Sequence, residues 1–446
     1  MPIIFSTLNH PKRSTLAAEI HSRPPVNLNI PEKITHLAIS GRNDIENKNL
    51  GRGNQTILLA AFCDHFGVAS PSSKAKYFYH NFGGFSLKWE CHTEFASYTF
   101  FSETSDEISN TEFFKDMPLI YLPESWLISL KDKLIVASHL IIKSINSNDD
   151  DLLSNIRNEY GGNIIIGSDA SSVSQLWTDF KINSDGFVRF VVFDKGLKGF
   201  QAGRLVQSIL EIETYRMLAL FGLPNAHKTI PILNNIEEEL ALLTSNMVNM
   251  NKTGNLDEDI NIREEQALLE QITSLASRLE ELVVDNNYRF SASKAYFNLV
   301  NDRIEELREK RIEGIPTIAE FLDKRLTPAM KTCDAVVGIQ EALEKRISNT
   351  NALLRTRVSI RLEQQNSKIL ESLNSRAAQQ LRLQQAVEGL SAAAITYYLV
   401  GLLDYFLKAG NLSGFSINSG LLTGISVPII GGIVWYGLRK IRKKQN

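Results

Sequence analysis

The sequence predicts an α+β protein: a mixed α/β domain first, a long helical stalk next, and a pair of apolar helices at the end. Three observations predict it. Short runs rich in β-branched and aromatic residues punctuate the first half. Leucine and isoleucine then recur at three- and four-residue spacing. Two apolar runs close the chain, each about 18 residues long, near the lower limit of a membrane span. The boundaries that follow are 1–235, 236–389 and 390–446.

In the first domain, KITHLAIS (33–40), FSLKWECH (85–92), EFASYTFF (94–101) and LIVASHLII (134–142) read as strands. NIIIG (163–167), QLWTDFKI (175–182) and GFVRFVVF (186–193) continue the series. NSDG (183–186) is a turn between the last two, which makes them a hairpin. Helices are expected over 55–66, 149–160 and 203–221.

The stalk is helical throughout. A polar interruption, NMNKTGNLDEDIN (249–261), separates two of its helices. IEGIP (312–316) and Thr327–Pro328 are expected breaks or kinks. From Ala329 to Glu388 nothing interrupts the pattern, which is roughly 60 residues or about 90 Å of helix. Leu354, Val358, Leu362, Ile369, Leu373, Ala377 and Leu381 form its apolar stripe. No strict heptad is sustained, so packing against neighbours is expected rather than an isolated two-stranded coiled coil.

The two closing runs are 390–407, apolar apart from Asp404, and 421–438, which carries no charge. The tail after them is dense in Arg439, Lys440, Arg442, Lys443 and Lys444. Basic tails orient toward the cytoplasm. Two spans then return the N-terminus to the same side. MPIIFSTLNHPKRST lacks the apolar core of a signal peptide, which agrees with a cytoplasmic first domain. A bilayer is therefore the expected partner.

The net charge of −2 argues against nucleic acid as a partner. The 3 cysteines are Cys63, Cys91 and Cys333, odd in number and widely spaced. They make neither a disulfide framework nor a zinc site. No P-loop, GxGxxG, GxSxG or HExxH is present, so no enzyme chemistry is indicated. No cofactor is evident, beyond a divalent cation such as Mg if the helices conduct one.

Candidate site residues therefore lie mostly at the C-terminal end. On a helix Ala393, Tyr397, Val400 and Asp404 share a face. Asp404, Tyr397 and Asn411 could line a path for cations in an oligomer, since an acid within a span usually faces a bundle interior or water. The alternative places Asp404 about one turn from the outer end, in reach of the interface. Gly420, Gly424, Gly431 and Gly432 offer small surfaces for close helix packing, which a homo-oligomer would use. In the first domain Cys91, His92 and Glu94 suggest a metal, with an ordinary sheet-surface pair as the alternative. Arg204, Glu211 and Arg216 read as ion-pairing residues where the domain meets the helices.

Several segments carry a likeness to a known family. They are NHPKRSTLAAEIHSRPP, GGFSLKWECHTEFASYTFF, QAGRLVQSILEIETYRMLALFGLP, the run from YRFSASKAYFNLVNDRIEELREKRIEGIP to AMKTC, LLRTRV and LRLQQAVEGLSAAAITYYLVGLL. In that order they resemble, along the whole chain, a bacterial family of uncharacterised membrane-anchored proteins, the domain of unknown function 3422. The resemblance implies a class and a topology at the inner membrane, without an activity. The layout also resembles that of CorA-type magnesium channels, which implies both termini in the cytoplasm and a pentamer. That family's Gly-Met-Asn signature falls where this chain has KAGNLSG; Gly410 and Asn411 are present but the triplet is not. The expected function is a cytoplasmic binding or scaffolding module held at the membrane, with a divalent-cation channel as the alternative.

Overall fold

Strict alternation in SLKWEC and FASYTFFSE sends Leu87, Trp89, Cys91, Ala96, Tyr98 and Phe100 to one face of a sheet, and Lys88, Glu90, Ser97 and Thr99 to the other. Both faces are buried in the computed structural model. It describes residues 8–13, 16–17, 24–41, 53–104, 113–145, 152–250, 258–411 and 419–445. The chain divides into two compact units, one of Met1–Ser245 with Ile272–Ser348 and one of Asn246–Gln271 with Asn349–Asn446.

The first unit holds a nine-stranded sheet: β1 (Glu32–Ser40), β2 (Tyr77–Asn81), β3 (Ser86–Cys91), β4 (Phe95–Glu103), β5 (Leu134–Ser144), β6 (Ile166–Ala170), β7 (Ser174–Thr178), β8 (Val188–Asp194) and β9 (Lys310–Arg311). Their spatial order is β2-β3-β4-β1-β5-β8-β7-β6-β9. Only the β5–β8 pairing is parallel; the rest are antiparallel. The expected strands are all present, with ends shifted by a few residues. β2 and β9 were not expected. The β7–β8 hairpin forms, and Asn183–Gly186 is a turn inside its connection: the Gly186 N–H donates to the Asn183 carbonyl at 2.9 Å.

Helices α1 (Gly53–His65), α2 (Glu124–Ile128) and α3 (Leu152–Glu159) are short. Residues 149–151 of the helix expected over 149–160 lie outside the described residues. Phe62 of α1 and Trp126 of α2 join Trp89, Tyr98 and Phe100 in one aromatic cluster. Trp126 Nε1 donates to the Leu58 carbonyl at 3.0 Å, so its polar edge is satisfied within the core. A second cluster gathers Ile156, Tyr160, Ile141, Val191, Phe193 and Trp177.

The opposite face of the sheet is covered by α4 (Gly199–Leu220). A Cβ at Gly203 would collide with the Val26 carbonyl, so the helix lies against backbone there. Next come α5 (Gly222–Met250), α6 (Glu258–Leu307), α7 (Ile318–Asn411) and α8 (Ser419–Gln445). The polar interruption falls between α5 and α6 as expected. Helix α5 runs through residue 235, where a domain boundary was placed. Pro328 does not break the chain; it lies inside the 94-residue α7. Leu322, Leu326, Met330 and Cys333 are buried around it, and their packing offsets the lost backbone donor.

Three buried titratable groups set a pH profile for this unit. Burial raises the Glu32 carboxyl from 4.5 to about 8, opposed by the Asn29 N–H and helped by Glu103, its cross-strand partner. Burial lowers His36 from 6.5 to about 3, with Lys88 adding to it. Burial likewise lowers His139 to about 4. Below pH 6.5 the unfolded chain takes up histidine protons that the folded chain refuses, so acid destabilises. From 4.5 to about 8 the folded chain keeps the Glu32 proton that the unfolded chain releases, so rising pH destabilises. Two histidines outweigh one glutamate below 6.5, and above it Glu32 dominates, its shift being larger than that of Glu159, which burial also raises. Denaturant unfolding of the chain should show these groups placing maximum stability near pH 6.5, with a loss of about 2 kcal/mol by pH 8. Glu32→Gln should remove that alkaline loss; an unchanged decline in the variant would exclude Glu32 as its source.

Candidate functional site

Three places in the fold collect groups capable of chemistry. The first is the polar layer between the sheet and α4. Register sets Lys88 opposite Thr99, Thr99 opposite His36 and His36 opposite Ser138, a continuous polar rung across β3, β4, β1 and β5. All four are buried. His36 Nδ1 lies 2.9 Å from Thr99 Oγ1, and Nε2 lies 3.1 Å from Thr214 Oγ1 of α4. Thr214 donates its one hydroxyl proton to the Leu210 carbonyl at 2.8 Å. It must therefore accept from His36, which places the ring proton on Nε2 and leaves Nδ1 to accept from Thr99. That neutral tautomer agrees with the depressed pKa of His36. Lys88 Nζ pairs with Glu90 at 3.2 Å and donates to Gln207 Oε1 at 3.3 Å. The free space left in this layer is about 40 Å³. At about 10–15 Å³ per water that is room for a few solvent molecules and not for a substrate.

The loop from β3 to β4 is the second place. His92 and Glu94 do not alternate on a strand, because β3 ends at Cys91 and β4 starts at Phe95. The three residues face different partners. Cys91 Sγ lies 2.8 Å from Gln55 Oε1. The His92 ring stacks on Phe95 at 4.2 Å. Glu94 accepts from Arg289 Nη2 of α6 at 3.0 Å. Burial would raise the Glu94 carboxyl, but hydrogen bonds from Tyr288, the Arg289 charge and Tyr296 overcome it and hold the group below its ordinary value. Among the described residues no three His, Cys, Asp or Glu side chains converge as metal ligands. The Glu94–Arg289 pair is a clamp between sheet and helix.

The third place is a groove of about 540 Å³. The β6–β7 turn forms one wall with Ser171 and Ser174, the first half of α4 another with Gln201, Arg204 and Ser208, and the end of α6 a third with Glu306 and Arg308. Arg204 corrects the sequence reading: among the described residues its side chain has no ionic or hydrogen-bonding partner. Glu211 instead pairs with Arg303, and Arg216 pairs with Glu213 at 2.6 Å while lying over the Phe180 ring. Nothing in the sequence singled out Arg308, because its place depends on where α6 stops.

The second unit holds the residues expected near the membrane. Asp404 is half-buried; its Oδ2 meets Lys408 Nζ at 2.8 Å, and its Oδ1 accepts from Thr423 Oγ1 of α8 at 3.2 Å. Gly431 faces Thr396, whose methyl would touch a Cβ there at 3.7 Å. Thr396 with Gly431 and Asp404 with Thr423 are eight residues apart on each helix, in opposite directions, so the helices form an antiparallel pair in one register. Tyr397 points away, 75% exposed. A methyl group placed on Gly420, Gly424 or Gly432 would meet no atom within 4 Å. Asn411 is the last residue of α7, and the following loop, 412–418, lies outside the described residues. Arg439 lies over the Trp435 ring at 5.2 Å, and Lys440 is exposed. The backbone of α8 continues through Arg442, Lys443 and Lys444.

These features define an α+β protein with long helices and two C-terminal helices long and apolar enough to cross a membrane. The chain belongs to the family described as "Protein of unknown function (DUF3422)", whose model matches residues 8–445. No curated protein matches it.

The clamp gives a direct prediction. Arg289→Met leaves the buried Glu94 carboxylate without its guanidinium and should cost about 3 kcal/mol in denaturant unfolding. Adding Glu94→Gln should recover most of that. A double variant as unstable as the single one would show that packing by Arg289, and not the charge pair, carries the effect.

Proposed function

We propose that the chain is an inner-membrane protein whose α+β unit works in the cytoplasm as a binding or scaffolding module, held there by the two C-terminal helices. The observation that carries this reading is the apolar surface of the second unit. Leu390, Phe406, Ile433 and Trp435 are between 59% and 84% exposed, and the apolar windows of α7 and α8 are buried nowhere by the rest of the protein. A helix apolar on all sides is stable where its solvent is apolar too. Helical hydrogen bonding satisfies the backbone of both apolar windows internally, apart from the carbonyl that Pro428 leaves without its donor.

The polar contents of the hairpin fit the same solvent. Lys408 and Thr423 neutralise and solvate Asp404 within the pair, so its charge is met without water. The basic run from Arg439 onward supports a cytoplasmic C-terminus, and an even number of spans puts the α+β unit on that side.

Protease accessibility tests both halves of the proposal. In intact spheroplasts, external protease should leave the chain whole. In inverted membrane vesicles it should remove the α+β unit, and an alkaline carbonate wash should leave the undigested chain in the pellet. Cleavage in spheroplasts would overturn the orientation, and release by carbonate would overturn the anchoring.

A further inference from the structure

We propose that the groove between the β6–β7 turn, α4 and the end of α6 binds a phosphate monoester, either a soluble phosphorylated molecule or the headgroup of an anionic lipid. The proposal rests on reading the α+β unit as a binding module. It is independent of the anchoring, so it stands or falls separately from the protease result.

The charge of the groove points to an anion. Its walls carry two guanidinium groups, Arg204 and Arg308, against one carboxylate, Glu306. That carboxylate is already engaged: Oε1 meets Arg303 Nη1 at 2.7 Å, and Oε2 accepts from Ser208 Oγ at 3.5 Å. The guanidinium groups of Arg204 and Arg308 are engaged by nothing among the described residues. Elsewhere in this unit Arg189, Arg216, Arg278, Arg289, Arg303 and Arg346 each have a carboxylate within 3.0 Å. Arg157 and Arg325 also have no carboxylate partner among the described residues; Arg204 and Arg308 differ in lining one concavity together. Planar forks of N–H donors match the oxygens of a phosphate, and a dianion engages two of them at once.

The backbone agrees. Helix α4 starts at Gly199 with no acidic residue in its first turn, and the carboxylate nearest its start, Asp194, is taken up by the Gly196 and Leu197 N–H groups. Arg308 follows the last residue of α6 at φ 48, in the left-handed region. Glycine takes that conformation without steric penalty and arginine does not. The chain thus keeps an arginine where the turn itself favours glycine. Ser171 ties the opposite wall to the same helix end, its N–H donating to the Leu307 carbonyl at 2.9 Å. The space, about 540 Å³, suits a small organic ligand.

The test is calorimetric titration of the full chain in detergent with three probes: inorganic phosphate, glycerol 3-phosphate and dioctanoyl phosphatidic acid, with dioctanoyl phosphatidylcholine as control. At least one monoester should bind, and raising the salt concentration should weaken it. Arg204→Gln and Arg308→Gly should each reduce affinity tenfold or more. Arg308→Gly should at the same time raise the unfolding temperature without ligand, because it relieves the left-handed backbone; this shows that lost binding is not lost folding. Phosphatidic acid binding much tighter than glycerol 3-phosphate assigns the site to a lipid headgroup, and equal binding assigns it to a soluble ester. Failure of both monoesters to bind, wild-type affinity in Arg308→Gly, or equal binding of phosphatidylcholine would overturn the proposal.

Discussion

The α+β unit depends on burying a polar sheet face. Lys88, Thr99, His36 and Ser138 lie in one rung across four strands, and none can reach bulk water. A buried polar group without a partner costs far more than a hydrogen bond returns. The covering helix α4 therefore has to bring partners, and it does so at defined positions, with Thr214 over His36 and Gln207 over Lys88. An apolar helix face could slide along a sheet at little cost. This one meets His36 and Lys88 at one register, and leaves Ser138 Oγ without a partner among the described residues.

The other helices inherit that placement. Glu211 on α4 meets Arg303 on α6, and Arg289 on α6 returns to Glu94 at the edge of the same sheet. These polar contacts close a circuit from β4 through α4 and α6 and back. The opposite face works by a different principle. Phe62, Trp89, Tyr98, Phe100 and Trp126 bury large areas with few directional demands, and their ring contacts supply cohesion. Cohesion on one face and registration on the other follow from a single period-two pattern in SLKWEC and FASYTFFSE. In the second unit the rule reverses: apolar side chains face outward, and the polar pair Asp404–Thr423 is kept between helices.

Much of the fold was legible because alternation and helical spacing are local signals. Seven strands, the hairpin around NSDG and the long helices were visible in the residues themselves. β2 was missed because YFYHN carries no strong alternation, and β9 because two residues give no pattern at all. Pro328 reads as a break or a kink, and that it does not end the helix follows from the tertiary packing of Leu326 and Met330. The sites were less legible for the same reason. Arg204 was grouped with Glu211, which pairs with Arg303 instead. Arg308 was invisible, because its meaning comes from the end of α6 meeting the β6–β7 turn. His36 and Lys88 sit in runs that read only as strands, and it is the covering helix that makes them buried.

The central claim is that α4 seals the polar face and fixes His36 as the neutral tautomer with its proton on Nε2. The measurement that tests it most directly is a pH titration of the His36 ring by nuclear magnetic resonance, with histidine-selective labelling of the full chain in detergent. The account predicts Nε2–H shifts unchanged from pH 8 down to below pH 5, consistent with a pKa near 3. A ring that titrates near 6.5, or that shows its proton on Nδ1, would contradict it.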